Sequence, residues 1–319
     1  MTQPVPWRDA WQAALYGPVG FYRAGAGPTA HFRTSVHASP LFARALSRLA
    51  SIAGLTTVVD VGAGGGELLR DLHALDPRLR LCGVDVAPRP PALPADVDWA
   101  DIVPGLDGLL VANEWLDNVP CDIVEATAEG PRLVLVHPGT GTESLGEPVQ
   151  PPETGWLERW WPLAEPGRRA EIGRSRDTAW ADAVSRVSRG IAVAIDYAHD
   201  RADRPVHSTL TGFRGGREVM PIPDGTCDIT AHVALDSCAA AGPTPALRLS
   251  QRAALHSLGI TATLPGRDLA RVDPAGYARA LQAASDAAEL TDPYGLGGFT
   301  WLVHAIGVPM PPQLIEAAG

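Results

Sequence analysis

The feature that most constrains this chain is the run Val58-Val59-Asp60-Val61-Gly62-Ala63-Gly64-Gly65-Gly66-Glu67. A short β-branched apolar stretch reads as a strand buried on both faces. The glycines after it let the backbone reverse tightly before a helix begins near Gly66. Such a turn presents a helix N-terminus, with its free N–H groups, to whatever lies above the strand end. Spacing narrows the choice. A dinucleotide fingerprint needs G-x-G-x-x-G/A, but counting from Gly62 puts Glu67 in the third position and counting from Gly64 puts Leu69 there. Both registers fail, leaving an acidic residue followed by G-x-G-x-G.

The pattern on either side extends this unit. Residues 1–50 are punctuated by Gly and Pro as far as Pro40. Ser39 can then cap a helix opened by Pro40, with Leu41, Phe42, Ala45, Leu46 and Leu49 as its apolar stripe. Strands are predicted over 57–60, 79–85, 109–113 and 132–137, with a helix over 66–75. Residues 138–154 read as a Gly/Pro/Glu-rich loop, followed by helices over 156–163 and 171–188. A strand over 191–195 ends at Asp196. A helix over 251–258 is stopped by Gly259, another covers 271–290, and a last strand covers 298–306. Strands alternating with helices predict an α/β fold around a Rossmann-like parallel sheet with both faces covered. The expected organisation is an N-terminal extension or lid over 1–50 and a main domain over 51–319, with a mostly helical insertion at about 140–188.

Composition excludes several classes. The chain has 319 residues, 45% hydrophobic and 19% charged, with formal net charge −10. A nucleic-acid partner would need a local basic stripe, and the densest run, Arg168, Arg169, Arg174 and Arg176, reads instead as the polar face of a helix. All 26 basic residues are arginine. No apolar run is long enough to span a membrane, and residues 1–10 lack the pattern of a signal peptide, so a cytoplasmic location is expected. Cys82, Cys121, Cys227 and Cys238 form no C-x-x-C pair and read as buried free thiols, so no metal is expected.

The acidic residue followed by G-x-G-x-G resembles motif I of class I methyltransferases, which implies S-adenosylmethionine as cofactor. That molecule has no pyrophosphate, so the turn need only bring backbone from Gly62, Ala63, Gly64 and Gly66 beside its amino-acid part. Asp60 can meet the ammonium. Asp85, with Val86 at the end of the next strand, can accept hydrogen bonds from the ribose hydroxyls. Asp101 can accept from the adenine amino group. Thr34, with Tyr16, Tyr22 and Phe32, is a candidate lid.

A wider set of strings resembles the MidA-like family, relatives of the mitochondrial arginine methyltransferase acting in complex I assembly. They are Ala14-Leu15-Tyr16-Gly17-Pro18, Gly20-Phe21-Tyr22, Phe32-Arg33-Thr34-Ser35, Ser39-Pro40-Leu41-Phe42, the turn at Gly62, and Asn113-Glu114-Trp115-Leu116-Asp117-Asn118-Val119-Pro120. Ile195-Asp196-Tyr197-Ala198-His199, Thr209-Leu210 and Asp228-Ile229-Thr230-Ala231-His232-Val233 complete the set. The resemblance implies methylation of a protein arginine. An arginine acceptor is protonated, so carboxylates facing it can orient it and take its proton. Asn113, Glu114 and Asp117, at a strand end, and Asp196 and Tyr197, at another, are the candidate catalytic residues. His199 and His232 are weaker candidates as bases. The chain departs from the family at Ala30-His31, Val36-His37 and Gly216, which keeps open a small-molecule acceptor or a non-catalytic assembly factor that retains the cofactor.

Overall fold

A computed structural model describes residues 3–24 and 34–319; the departure at His31 and the candidate lid residue Phe32 lie outside the described residues. The centre is a seven-stranded sheet. In chain order its strands are β1 (Thr57–Val61), β2 (Arg80–Val84), β3 (Asp98–Ala100), β4 (Leu106–Asn113), β5 (Val187–Asp196), β6 (Ala246–Ser250) and β7 (Thr300–Ile306). They lie side by side as β3-β2-β1-β4-β5-β7-β6. The first five run parallel, and β7 runs antiparallel to both neighbours.

The central strands are largely apolar because both faces are covered, and alternation assigns each residue to a face. Val58, Leu109, Val111, Ile191, Val193 and Ile195 pack with Leu46, Leu49, Leu69 and Leu290 from the helices Leu41–Ile52, Glu67–Leu75 and Pro274–Leu290. Val59, Val61, Leu110, Ala112, Ala192 and Ala194 face the other way, onto Trp180 and Val184 of helix Arg174–Ser185 and Cys238 of helix Leu235–Ala241.

The structure departs from the sequence reading at definite places. The stretch over 132–137 is a strand (Gly130–Val136), but of a second, antiparallel sheet with Val5–Pro6, Asp122–Thr127, Glu143–Pro148 and Arg169–Ile172. The segment expected to be a mostly helical insertion therefore supplies two of these strands, and the helix predicted over 171–188 begins only at Arg174. Arg169 was misread for the same reason: it bridges Glu125 and Glu143 between strands at 2.8 and 2.7 Å. Arg176 lies 1% exposed rather than on a polar face. Strand β3 went unpredicted because it is short and half-buried. The last strand is antiparallel, a direction that apolar patterning cannot reveal. No helix of the described residues is long and apolar enough to cross a membrane.

Candidate active site

Parallel strands end at a common edge, and in open α/β sheets ligands bind beyond that edge. A cavity of about 300 Å³ lies there. It is lined by the ends of β1, β2 and β4, by Thr34–His37, by Tyr16 and Tyr22, and by Phe213, Asp228 and Thr230 from a small antiparallel sheet (Thr211–Arg214, Arg217–Val219, Asp228–Thr230).

The glycine turn forms one wall. Gly62 sits at φ 72°, and a side chain there would come within 2.9 Å of Trp115 Cδ1, so both conformation and space demand glycine. The Gly62 and Ala63 N–H groups both donate to the Val84 carbonyl, closing the turn onto β2. Asp85 Oδ2 accepts from Gly64 N–H and Oδ1 from Ala87 N–H, each at 2.8 Å. Burial raises the Asp85 carboxyl, and those N–H groups oppose the rise. Asp60, 5% exposed, is pushed well above the usual carboxylate range by burial, then by the charges of Asp85 and Glu67. Ala63, Gly64, Val86, Asp101 and Thr34 also line the cavity. Gly66 does not: it begins the helix in the left-handed region, and a Cβ there would meet Leu93 at 2.7 Å.

The second wall is acidic. Asn113 ends β4, and Glu114 N–H continues its pairing with the Ile195 carbonyl at 2.8 Å. Glu114 is the one non-glycine residue with positive φ among the described residues, at 50°, the kind of backbone strain that persists where surroundings over-determine it. Its Oε1 accepts from Ser35 N–H and from Asn113 Nδ2, both at 3.1 Å. Burial, then the charge of Asp117, pushes its carboxyl up to about 8. Asp117 follows on a short helical turn, with Oδ2 accepting from the Thr230 hydroxyl at 2.7 Å. Asp228 Oδ1 accepts from Tyr22 Oη at 2.9 Å and Asn118 Nδ2 at 3.0 Å, and burial followed by Asp117 raises its carboxyl to about 8. Tyr16 and Tyr22 stack at 5.6 Å.

Asp196 and Tyr197, expected together at the site, separate. Tyr197 lines the cavity and rests against Phe299 with ring centroids 4.1 Å apart. Asp196 is fully buried and reaches no cavity surface; Oδ2 accepts from the N–H groups of Leu116 and Asp117, and Oδ1 from that of Tyr197. It braces the turn that carries Asp117. Arg176 braces the same turn from outside, donating to the carbonyls of Asp117, Val119 and His232 at 2.7 to 3.1 Å. His199 is buried behind the site with Nδ1 taken by Arg204, and His232 stacks on Tyr197. Of the family departures, His37 lies on the cavity wall, whereas Gly216 sits at the tip of the hairpin between Thr211–Arg214 and Arg217–Val219, away from it.

Sequence reasoning did not assign Trp115, Asn118, Phe213, Asp228 or Thr230 to the site. Asn118, Asp228 and Thr230 stand inside the two most distinctive strings of the chain, which was the available signal. Phe213 carried none.

Three buried polar atoms in this cavity lack partners within hydrogen-bond distance: Asn113 Oδ1, Asp117 Oδ1 and His37 Nε2, the last with only the Glu67 carboxylate nearby at 3.7 Å. Such atoms are rare in folded proteins unless a ligand completes them. Two are acceptors, beside a turn that exposes backbone next to carboxylates. The residues therefore fit a ligand carrying ammonium and hydroxyl donors, as S-adenosylmethionine does.

A family profile of S-adenosyl-L-methionine-dependent methyltransferases, Methyltransf_28, matches residues 73–249, more than half of the chain, and the chain belongs to that family. The match begins after the glycine turn, so turn and profile are independent indications of the same cofactor. Among solved structures, a COG1565 superfamily member from Burkholderia thailandensis bound to S-adenosyl-homocysteine is 25% identical with a TM-score of 0.80, covering 98% of this chain and 90% of its own. A native crystal structure of a COG1565 superfamily protein from the same organism is 26% identical with a TM-score of 0.79, over the same shares. A comparison with curated proteins gives no match. The protein is an S-adenosylmethionine-dependent methyltransferase with an α/β fold.

Proposed function

We propose that this Rossmann-like, MidA-like methyltransferase transfers its methyl group to a nitrogen of a cationic acceptor, a protein arginine first. The observation that carries this reading is the acidic wall. Glu114, Asp117 and Asp228 line one cavity, and among the described residues none of them pairs with a cationic side chain. Buried carboxylates without a counter-ion are unfavourable until a cation arrives. Asp60 and Asp85, beside the glycine turn, face the cofactor's amino-acid part and ribose, leaving the second group for the acceptor. Bound S-adenosylmethionine supplies the methyl group. Glu114 and Asn113 orient the acceptor, Asp117 adds negative charge, and Tyr16 and Tyr22 offer ring faces for a planar cation. His37, one of the departures from the MidA-like pattern and a cavity-lining residue, favours a small-molecule acceptor as the second reading. Incubating the protein with a lysate and isotope-labelled methyl donor separates the two. Methylarginine in digested protein supports the first, label confined to the low-molecular-weight fraction supports the second, and label on oxygen or carbon alone overturns both nitrogen readings.

A further inference from the structure

We propose that Asp228 is the residue that takes the proton from the acceptor nitrogen, with Tyr22 and Asn118 holding its carboxylate in place. This rests on the nitrogen-acceptor reading above.

A nitrogen that gains a methyl group forms one C–N bond and gives up one N–H bond. S-adenosylmethionine leaves as its uncharged thioether, so one proton must go to a base and then to solvent. Three carboxylates on the cavity wall are candidates, and their surroundings differ. Glu114 holds two donors on Oε1, one from the Ser35 backbone and one from its neighbour Asn113. It sits on a backbone fixed at φ 50°. Those ties suit orientation. Asp117 is bonded to Thr230 and lies close enough to Arg176 for that charge to favour its ionised form, so protonating it works against a permanent neighbouring cation.

Asp228 differs from both. The Ile229 N–H also supports its carboxylate, but its side-chain donors, the Tyr22 hydroxyl and the Asn118 amide, are neutral and converge on Oδ1. Oδ2 receives neither and is the atom that takes the proton. No ion pair is broken when it does so. The charged and titratable groups facing it are Asp117, Tyr16, Tyr22 and the adjacent Cys227. Burial and Asp117 hold its carboxyl near 8, so the group is a stronger base than a solvated aspartate and, without a cation beside it, keeps its proton at neutrality. An arriving cation favours the ionised form. Below about pH 8, acceptor binding therefore expels a proton and arms the base.

The test compares wild type with Asp228→Asn and Tyr22→Phe. With S-adenosylhomocysteine saturating, Nα-acetylarginine amide is titrated by calorimetry at pH 7 in two buffers of different ionisation heat. Wild type is expected to release protons as the probe binds, and Asp228→Asn to release fewer while keeping S-adenosylhomocysteine affinity within a few-fold. Methyl transfer to lysate protein should fall by about 100-fold or more in Asp228→Asn. In Tyr22→Phe, loss of a donor to the ionised carboxylate should move the acid limb of the rate profile to higher pH. Unchanged proton release, or transfer by Asp228→Asn within a few-fold of wild type with its acid limb intact, overturns the assignment while leaving the nitrogen reading standing. Lost S-adenosylhomocysteine binding in a folded Asp228→Asn also overturns it, by placing the residue at the cofactor. A wild type that methylates no nitrogen and binds no probe ends both.

Discussion

The two walls of the cavity are built by opposite means. The glycine turn comes almost entirely from consecutive residues, Asp60 to Glu67, and its own backbone N–H groups make its polar contacts: Gly62 and Ala63 donate to the Val84 carbonyl, and Gly64 to the Asp85 carboxylate. The acidic wall is gathered from remote segments and held by side chains. Tyr22 and Asp228, 206 residues apart, share a hydrogen bond, as do Asp117 and Thr230, 113 apart. A wall of the first kind resists change through conformation, so substitutions there disturb shape. A wall of the second kind tolerates isosteric change in shape but not in charge.

Four experiments sharpen or break that contrast. The largest effect is expected at the acidic wall: Glu114→Gln and Asp117→Asn should lower methyl transfer by about 100-fold or more while S-adenosylhomocysteine affinity stays within a few-fold. Loss of cofactor binding would show that the walls are not functionally separate. Next is Asp85→Ala, expected to weaken cofactor binding by about 1.5–3 kcal/mol, the range for charge-assisted hydrogen bonds. Because Asp85 also anchors Gly64 and Ala87, a small fall in melting temperature should accompany it. Full affinity by calorimetry would remove Asp85 from the site.

A smaller effect is expected from Gly62→Ala, set against Gly54→Ala. Both glycines have positive φ, 72° and 67°, but an added Cβ meets Trp115 only at Gly62 and nothing within 4 Å at Gly54. Each should lose about 1–2 kcal/mol of stability from backbone strain, with a further loss at Gly62 alone. Equal melting temperatures would mean that Trp115 yields freely. The fourth experiment reads a pH dependence. Glu114 and Asp228 keep their protons to about 8 when folded, against ordinary values of 4.5 and 3.8. Across that window the folded chain binds more protons than the unfolded one, so stability falls as pH rises and levels off above about 8. Thermal melts of the ligand-free protein should show this slope, and Asp228→Asn should flatten it. A wild-type slope of opposite sign would contradict the burial of Glu114 and Asp228 without an ion-pair partner.

The same contrast explains what could be read from the sequence. The glycine turn, Asp85 and the strand ends at Asn113 and Asp196 follow from local periodicity and turn chemistry, which leave a one-dimensional trace. The second sheet does so only at its strand over 132–137: Val5–Pro6, Glu143–Pro148 and Arg169–Ile172 are short or largely exposed, and Arg169 looks like a helix-face charge until its cross-strand partners Glu125 and Glu143 are known. Asp196 sits at a strand end and reads as catalytic, but only folding decides whether a carboxylate faces a cavity or the backbone of a neighbouring turn. Asp228 fails in the opposite sense, because its meaning depends on Tyr22 and Asn118 arriving from elsewhere.

Arg176 has a consequence for anyone wishing to redesign this protein. Its planar head ties the stretch ahead of Pro120 to the one after Thr230 through three carbonyl oxygens, a fork that lysine cannot reproduce. Residues on those two stretches are thus mechanically geared. Because the bonded atoms are main-chain carbonyls, side-chain changes over 116–119 leave the tie in place, whereas losing Arg176 cuts it at all three points. Varying both stretches together while fixing Arg176 keeps the gear engaged and spends the diversity on side chains that face the acceptor.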